Sequence, residues 1–193
     1  MKKIIISVSV LLGVLTSFCG CDSEELENLL DCTFVRTGTT DFLFAEVNFD
    51  NLTSLSEMNA EDSVTIATAL SQETKPVSFT INVKGTNPNN SMASIEQFKW
   101  ILLLNDTEVA REEVPEIYSL PPLGSNRLSV DVYLDDITPF LEDATAESMF
   151  RFFQTITGSA EIDPDFKVDL KIKPSIDGKE FPDYISVREV LEK

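Results

Sequence analysis

Apolar and polar side chains alternate at period 2 through Phe79-Thr80-Ile81-Asn82-Val83-Lys84, which confines this chain to folds with half-buried strands. Phe166, Val168, Leu170 and Ile172 repeat the pattern against Lys167, Asp169, Lys171 and Lys173; Leu128, Val130, Val132 and Leu134 do so again. The run Phe98-Lys99-Trp100-Ile101-Leu102-Leu103-Leu104 is apolar on both faces after Lys99, which predicts a central strand covered on each side. Leu43, Ala45, Val47 and Phe49 mark a strand near the start, and Ile185 and Val187 mark one near the end. Between the runs lie turn sequences. Asn87-Pro88-Asn89-Asn90, Asn105-Asp106 and Pro121-Pro122-Leu123-Gly124 combine residues that tolerate positive φ or fix φ. Asp177-Gly178 between two extended runs predicts a hairpin.

Two segments depart from alternation. Asn59 to Ser71 has a capping residue, early acids and Val64, Ala67 and Leu70 at helical spacing. Pro139 to Ile156 has Pro in a first-turn position, Asp135-Asp136 as an N-terminal cap, and an apolar set at Phe140, Leu141, Met149, Phe152, Phe153 and Ile156. Both are expected as helices packed over one end or side of a sheet. The aromatic density of the second fits a core-facing stripe; a ligand slot is the alternative. The chain is 42% hydrophobic, shows no repeat or Gly/Ser linker, and suits one domain with a sizeable core.

The amino terminus carries an address. Lys2 and Lys3 precede an uncharged, mostly apolar stretch from Ile4 to Phe18, then Gly20-Cys21 and the acidic run Asp22-Ser23-Glu24-Glu25. A cationic start, a short apolar segment and a small residue before a cut describe a secretory signal, too short to span a bilayer, which takes about 20 residues. It resembles the bacterial lipoprotein signal, with Gly20 just before the Cys that becomes the lipidated N-terminus. That resemblance implies a signal peptide over residues 1–20, lipid attachment at Cys21, an acidic tether over 21–31 and a domain over 32–193. Each buried methylene contributes about 0.8 kcal/mol, so two or more acyl chains hold a soluble domain stably. A secreted protein cut near Gly20, with Cys21 a free thiol, is the competing reading. The acidic run resembles the export signal for the outer face of the outer membrane; a solvated tether is its plainer meaning.

Charge and absences narrow the function. With Lys2 and Lys3 removed, 13 cations face 33 acids, a mature charge of −20. Such a surface repels phosphate backbones, so no nucleic-acid partner is expected. No His occurs, which excludes Ser-His and Cys-His nucleophiles, His bases and His metal sites. No metal or cofactor is expected; Asp163-Pro164-Asp165-Phe166 lacks the Gly of a calcium loop. Cys19 leaves with the signal and Cys21 is acylated, so Cys32 is expected as a buried, unpaired hydrophobe, with a Cys21–Cys32 disulfide as the alternative without lipidation.

Residues 78–134 run strand, Asn87-Pro88-Asn89, hydrophobic strand, short turn, Glu108-Val109, Leu120-Pro121-Pro122-Leu123-Gly124, strand. Lys171 to Ile176, Gly178 and Pro182-Asp183-Tyr184-Ile185 follow. This order resembles bacterial lipoproteins carrying the type 2 late embryogenesis abundant domain, also called the water-stress and hypersensitive-response or WHy domain. Thr86 before Asn-Pro-Asn departs from its commoner pattern. The resemblance implies a mainly β fold, an immunoglobulin-like antiparallel β-sandwich of about seven strands with one or two short helices, which the alternation independently favours. It implies a loose tie to stress tolerance and no catalytic site.

The expected function is therefore a non-enzymatic binding or stress-protective module on an outer-membrane or cell-surface lipoprotein, held to the membrane by N-terminal acyl chains. An envelope protein, a glycan or a lipid are the candidate partners. Trp100, Tyr118, Tyr133 and Tyr184 are aromatics able to stack on sugars, although Trp100 lies in the most apolar strand. One alternative is a carrier of an apolar ligand such as a lipid, held between sandwich and helix in a cavity lined by Phe150, Phe152 and Phe153. A second is a carboxylate-based glycan hydrolase, which needs two acids across a cleft. Asp62-Ser63-Val64 resembles a bacterial O-glycosylation signal, with Ser63 as acceptor; an ordinary early-helix segment is the alternative.

Overall fold

Strands form where alternation was read, and they form two sheets. The computed structural model of the protein describes residues 28–158, 166–176 and 178–189. In chain order come β1 (Thr33–Phe44), β2 (Val47–Asn48), α1 (Ala60–Leu70), β3 (Val77–Thr86), β4 (Ala93–Ile95) and β5 (Gln97–Leu104). There follow β6 (Thr107–Val114), β7 (Tyr118–Leu120), β8 (Ser125–Leu134), α2 (Ala146–Thr157), β9 (Val168–Ile176), β10 (Lys179–Glu180), β11 (Ile185–Ser186) and β12 (Arg188–Glu189). One sheet is ordered β12-β1-β3-β8 with β2 hairpinned on β1; the other is β10-β9-β5-β6 with β11 on β9. A β4-β7 ribbon lies beside them. The molecule is a β-sandwich with short helices packed on it. Among the described residues the strand pairs are antiparallel except β1 with β12.

Inward positions of β3 (Phe79, Ile81, Val83) and β8 (Leu128, Val130, Val132) are buried against Phe98, Trp100, Leu102 and Leu104 of β5 and Leu170 and Ile172 of β9 in one core. β5 lies between β9 and β6 as expected of a central strand, but only one face is sealed. Ile101 and Leu103 on the outer face are half-buried, and Lys99 there bonds to Glu180, which Lys173 also reaches at 3.1 Å. Those two lysines hold the Glu180 carboxyl below the usual carboxylate range.

Four local expectations are corrected. The early strand turns at Ala45-Glu46, whose φ values of 51° and 69° make a two-residue hairpin loop without Gly or Asn. Phe42 and Phe44, rather than Leu43 and Ala45, therefore face the core. Asp50 steadies the bend: its carboxylate accepts the backbone N–H of Asp41 at 2.6 Å and of Phe42 at 2.9 Å. In α1, Asn59 caps as read, accepting the Asp62 N–H at 2.8 Å, but Ile66 and Leu70 make the buried stripe. Val64 is 67% exposed, because the helix rotates its Ile66 edge inward.

The expected helix from Pro139 is two elements. Asp136 caps only a 3-10 turn, Thr138–Phe140, accepting the Thr138 N–H at 3.0 Å and its hydroxyl at 2.6 Å, which lowers the Asp136 pKa. Leu141 then turns extended, and α2 starts afresh at Thr145, whose Oγ1 accepts the Ser148 N–H. Gly158, at φ 72°, ends it in the left-handed conformation that Gly adopts without strain.

Phenylalanines seat α2. Phe42 stacks on Phe79 at 5.6 Å between centroids and meets Phe153 edge-on at 5.2 Å; Phe152 and Phe166 contact at 6.1 Å. The helix's last carbonyls face β1, where the buried Arg36 guanidinium and the Thr39 hydroxyl donate to the Ile156 oxygen. A cation is favourable at that end of a helix dipole. Phe42→Ala is expected to cost about 3–5 kcal/mol, whereas Val64→Ser should stay within about 0.5 kcal/mol of the parent; urea unfolding of both variants measures the contrast.

Candidate functional site: a cleft between two free sheet edges

The sandwich has two flanks, and they are finished differently. On one, the chain passes from β11, paired with β9, straight to β12, paired with β1. Val187 is buried at that crossing and its N–H donates to the Leu170 oxygen at 2.8 Å, so residues 185–189 stitch the sheets together. On the other flank β6 and β8 end their sheets with no further strand among the described residues. A cleft of about 350 Å³ opens there, lined by Ser78, Trp100, Ala110, Arg111, Glu112, Asp131, Val132 and Tyr133.

The residue types explain the opening. Paired positions on antiparallel strands point to the same face, so Phe98 with Val114, Trp100 with Glu112 and Leu102 with Ala110 all face inward. At the middle position β6 presents a carboxylate where burial would call for an apolar side chain, and Glu112 is exposed. Ala110 is small. Trp100, in the core, lines the cleft from β5. It is 2% exposed, and its indole Nε1 has no hydrogen-bond partner. Buried polar groups are almost always paired, so this one marks an unsatisfied donor. On the lip, Asp131 accepts the Thr80 hydroxyl at 2.7 Å, Arg111 is engaged by Glu108, and Tyr133 is 62% exposed.

A second depression, about 540 Å³, lies outside the sandwich between α1, the turn Leu55–Glu57 and the start of α2. Leu55, Met58, Ile66, Ala67, Leu70 and Ala146 give it an apolar floor, with Ser63, Ser71, Thr145 and Glu147 at its margin. Phe150, Phe152 and Phe153, expected to line a ligand cavity, are instead buried in the core, with Phe150 and Phe153 in ring contact at 5.7 Å. They line neither depression.

The remaining sequence candidates are scattered. Cys21, the signal and most of the tether lie outside the described residues, as do Asp163, Pro164 and Asp165. Leu29, just before the expected domain start, is fully buried in the core. Cys32 is a free, buried thiol bonded to the Asn28 oxygen at 3.3 Å. Burial, with some help from the Asp31 charge, pushes that thiol up to about 11. Ser63 is exposed on α1 and its hydroxyl donates to the Asn59 oxygen at 2.8 Å. Tyr118 is half-buried, edge-on to Phe98, and burial together with its hydrogen bond to Glu116 raises its hydroxyl pKa to about 12. Tyr184 lies 6.0 Å below the Lys173 ammonium and does not line the cleft. Among the described residues no group of three or more acids and thiols is gathered for a metal ion, and no helix is long and apolar enough to cross a membrane.

Asn87 was read only as a turn residue, and its side chain does more. It is fully buried, its amide donates to the oxygens of Ser91 and Leu120, and its carbonyl accepts the Asn89 N–H. It joins the two Pro-containing loops at the end of the sandwich where the chain enters through Asn28.

Neither a family model nor a curated protein matches the chain. Among solved structures, a crystal structure of a protein from Archaeoglobus fulgidus is similar over 60% of this chain and 82% of its own, at 13% identity and a TM-score of 0.35. A likeness of that size says nothing about function.

Glu112→Val, which restores an apolar side chain to the core face of β6, is expected to raise unfolding stability by about 1 kcal/mol, the scale of other local-rule repairs. Chemical denaturation checks it; a loss of stability would mean that the Glu112 carboxylate supports the strand.

Proposed function

We propose that the chain is a membrane-anchored lipoprotein of the outer membrane, whose domain is a non-enzymatic binding module of the WHy type facing the cell surface. The observation that carries the binding reading is the open flank: a cleft of about 350 Å³ between two uncovered strand edges, where β6 presents Glu112 in place of an apolar side chain. Its two carboxylates, Glu112 and Asp131, are both exposed. The anchor reading rests on Lys2-Lys3, the short apolar segment and Gly20-Cys21. Seven steps separate Cys21 from Asn28, a reach of at most about 25 Å, which would keep the domain near its bilayer.

Intact mass of the protein extracted from its host membranes is expected to begin at Cys21 and to carry acyl mass. Cys21→Ala should stay unprocessed and lose that mass; a mature start at another residue would sink the anchor.

The outer groove favours a second reading, carriage of an apolar ligand, at a place other than the one the aromatic run pointed to. Its floor of Leu55, Met58, Ile66 and Leu70 suits an alkyl chain. Ala67→Trp would fill the groove. If the domain carries lipid there, this substitution should abolish uptake of a fluorescent fatty acid; equal uptake by parent and variant removes the reading.

A further inference from the structure

We propose that the end of the sandwich where the chain enters is a membrane-docking tip. It seats Leu30, Met92 and Leu123 in the headgroup boundary of a bilayer and sets a row of three cations against the phosphates. The inference deepens the anchored-module reading and rests on it.

Three segments meet at this end. The Asn28 amide donates to the Ser91 hydroxyl at 2.8 Å, and the Asn89 amide donates to the Asn28 oxygen at 2.8 Å. The Leu123 N–H donates to the Asn89 oxygen at 2.9 Å. These bonds hold Leu30, Met92 and Leu123 at one tip, where they are 57%, 53% and 70% exposed. Single exposed apolar residues are ordinary; three on adjoining segments make a patch. Leu123 is the least expected of them. Its φ of 51° lies in the left-handed region that Gly or Asn occupies with little strain, so neither folding nor solubility asks for a leucine there.

Charge vanishes where the patch lies. A quarter of the chain is charged, yet residues 85–95 and 117–126 hold no charged side chain. Acids resume at Glu96 and Glu116, past the Ile95–Tyr118 end of the β4–β7 ribbon, whereas its Ala93–Leu120 end adjoins the tip. Asp31 is the acid beside the entering segment. Cations stand just behind. Val35 pairs with Arg188 and with Lys84, and Lys84 pairs with Arg127, which lines the three up in one row across the sheet. Their strand neighbours Val187, Val83 and Leu128 are buried, so the row lies on the outer face. All three are exposed, and none takes part in an ion pair among the described residues. The next acid along β8, Asp131, is four residues further from the tip.

Apolar side chains on such a surface enter the boundary by about 5–10 Å. The cationic row stands two residues, about 7 Å, behind Thr86 and Ser125, where long side chains reach the phosphates. The entering chain supplies the occupant. Cys21 is seven residues before Asn28, a reach of at most about 25 Å, so acyl chains on it would bring this end to the bilayer first.

Leu123→Trp and Met92→Trp report from the tip, and Tyr133→Trp reports from the far end of β8. The full-chain variants are purified from membranes and reconstituted into vesicles with brominated acyl chains. Blue-shifted, quenched emission is expected from both tip positions. Tyr133→Trp and the parent, whose only tryptophan is the buried Trp100, should match their unbrominated controls. In the Met92→Trp chain, Lys84→Gln and Arg127→Gln should each lower the docked-to-undocked ratio about fivefold on phosphatidylglycerol vesicles, and little on phosphatidylcholine. Leu123→Asn in the same chain should weaken quenching while keeping or raising the melting temperature; a packing role for Leu123 would lower it.

Emission that bromine leaves unquenched at both tip positions overturns the proposal, and a blue shift alongside it would mean that a second copy or another protein covers the tip. Quenching that Leu123→Asn and both Gln variants leave unchanged overturns it too. Intact mass of the same preparation separates the anchor. Quenching in a chain without acyl mass keeps the tip and overturns only the anchor; acyl mass without quenching does the reverse.

Discussion

Two sheets that bury one face against each other still leave free edges on either flank, each a row of unpaired backbone groups. The way this chain finishes those edges governs the rest of its architecture. β12 covers β1, and β10 and β11 cover β9, so one flank is closed by main-chain hydrogen bonds. The opposite flank has β6 and β8, and no strand covers either among the described residues. Here protection is left to side chains. β6 carries Glu108, Arg111, Glu112 and Glu113, a density of charge that keeps other strands away. That protection has a structural consequence: a charged edge cannot also seal the core, and the cleft is what remains.

The other conspicuous mass of the molecule, the phenylalanine cluster, answers a different need. The inner faces of β1 and β3 extend past the sheet pair, and α2 covers them with Phe152, Phe153 and Ile156. The rings interlock with Phe42, Phe49 and Phe79, and Arg36 ties the helix end to β1. Interlocked rings leave no void at native packing density. The two depressions among the described residues lie elsewhere, behind the charged edge and outside the helices, and the aromatic run is scaffold.

Much of this was legible in the sequence because alternation is a direct image of a half-buried strand. The β3, β8 and β9 assignments follow from it, and Asn105-Asp106, at φ 50° and 61°, is the turn its residue types announce. The misreadings share a cause. Ala45-Glu46 carries no turn signal, since the bend is imposed by Asp50 nine residues beyond Asp41 and by the pairing of Phe44 with Val47. The single helix from Pro139 failed because Asp136 and Thr145 are both good caps, and each capped its own segment. The cleft was invisible for a better reason. Trp100 reads as core, and it is core; only its partner across the sheet, Glu112, shows that the core stops there. A charged stretch beside the most apolar strand was the available signal, and it acquires meaning only with the register.

Register also fixes where the cleft lies along the molecule. The chain enters at Asn28, bonded to Asn89 and Ser91 in the loop that follows β3. Ser78 and Tyr133 pair near the far end of β3 and β8, seven residues along from the Gly85–Asn126 pair. At about 3.3 Å per residue the cleft lies some ~23 Å further from the entry end. Were the domain hung from Cys21 as proposed, that displacement would carry the open flank away from the bilayer, whose phosphate headgroups would repel an acidic surface. On the proposed anchor, the short tether would limit how far the domain strays, and the strands would hold the cleft outward. The acidic charge and the open edge are independent features, and the strand register would make both compatible with the proposed anchor.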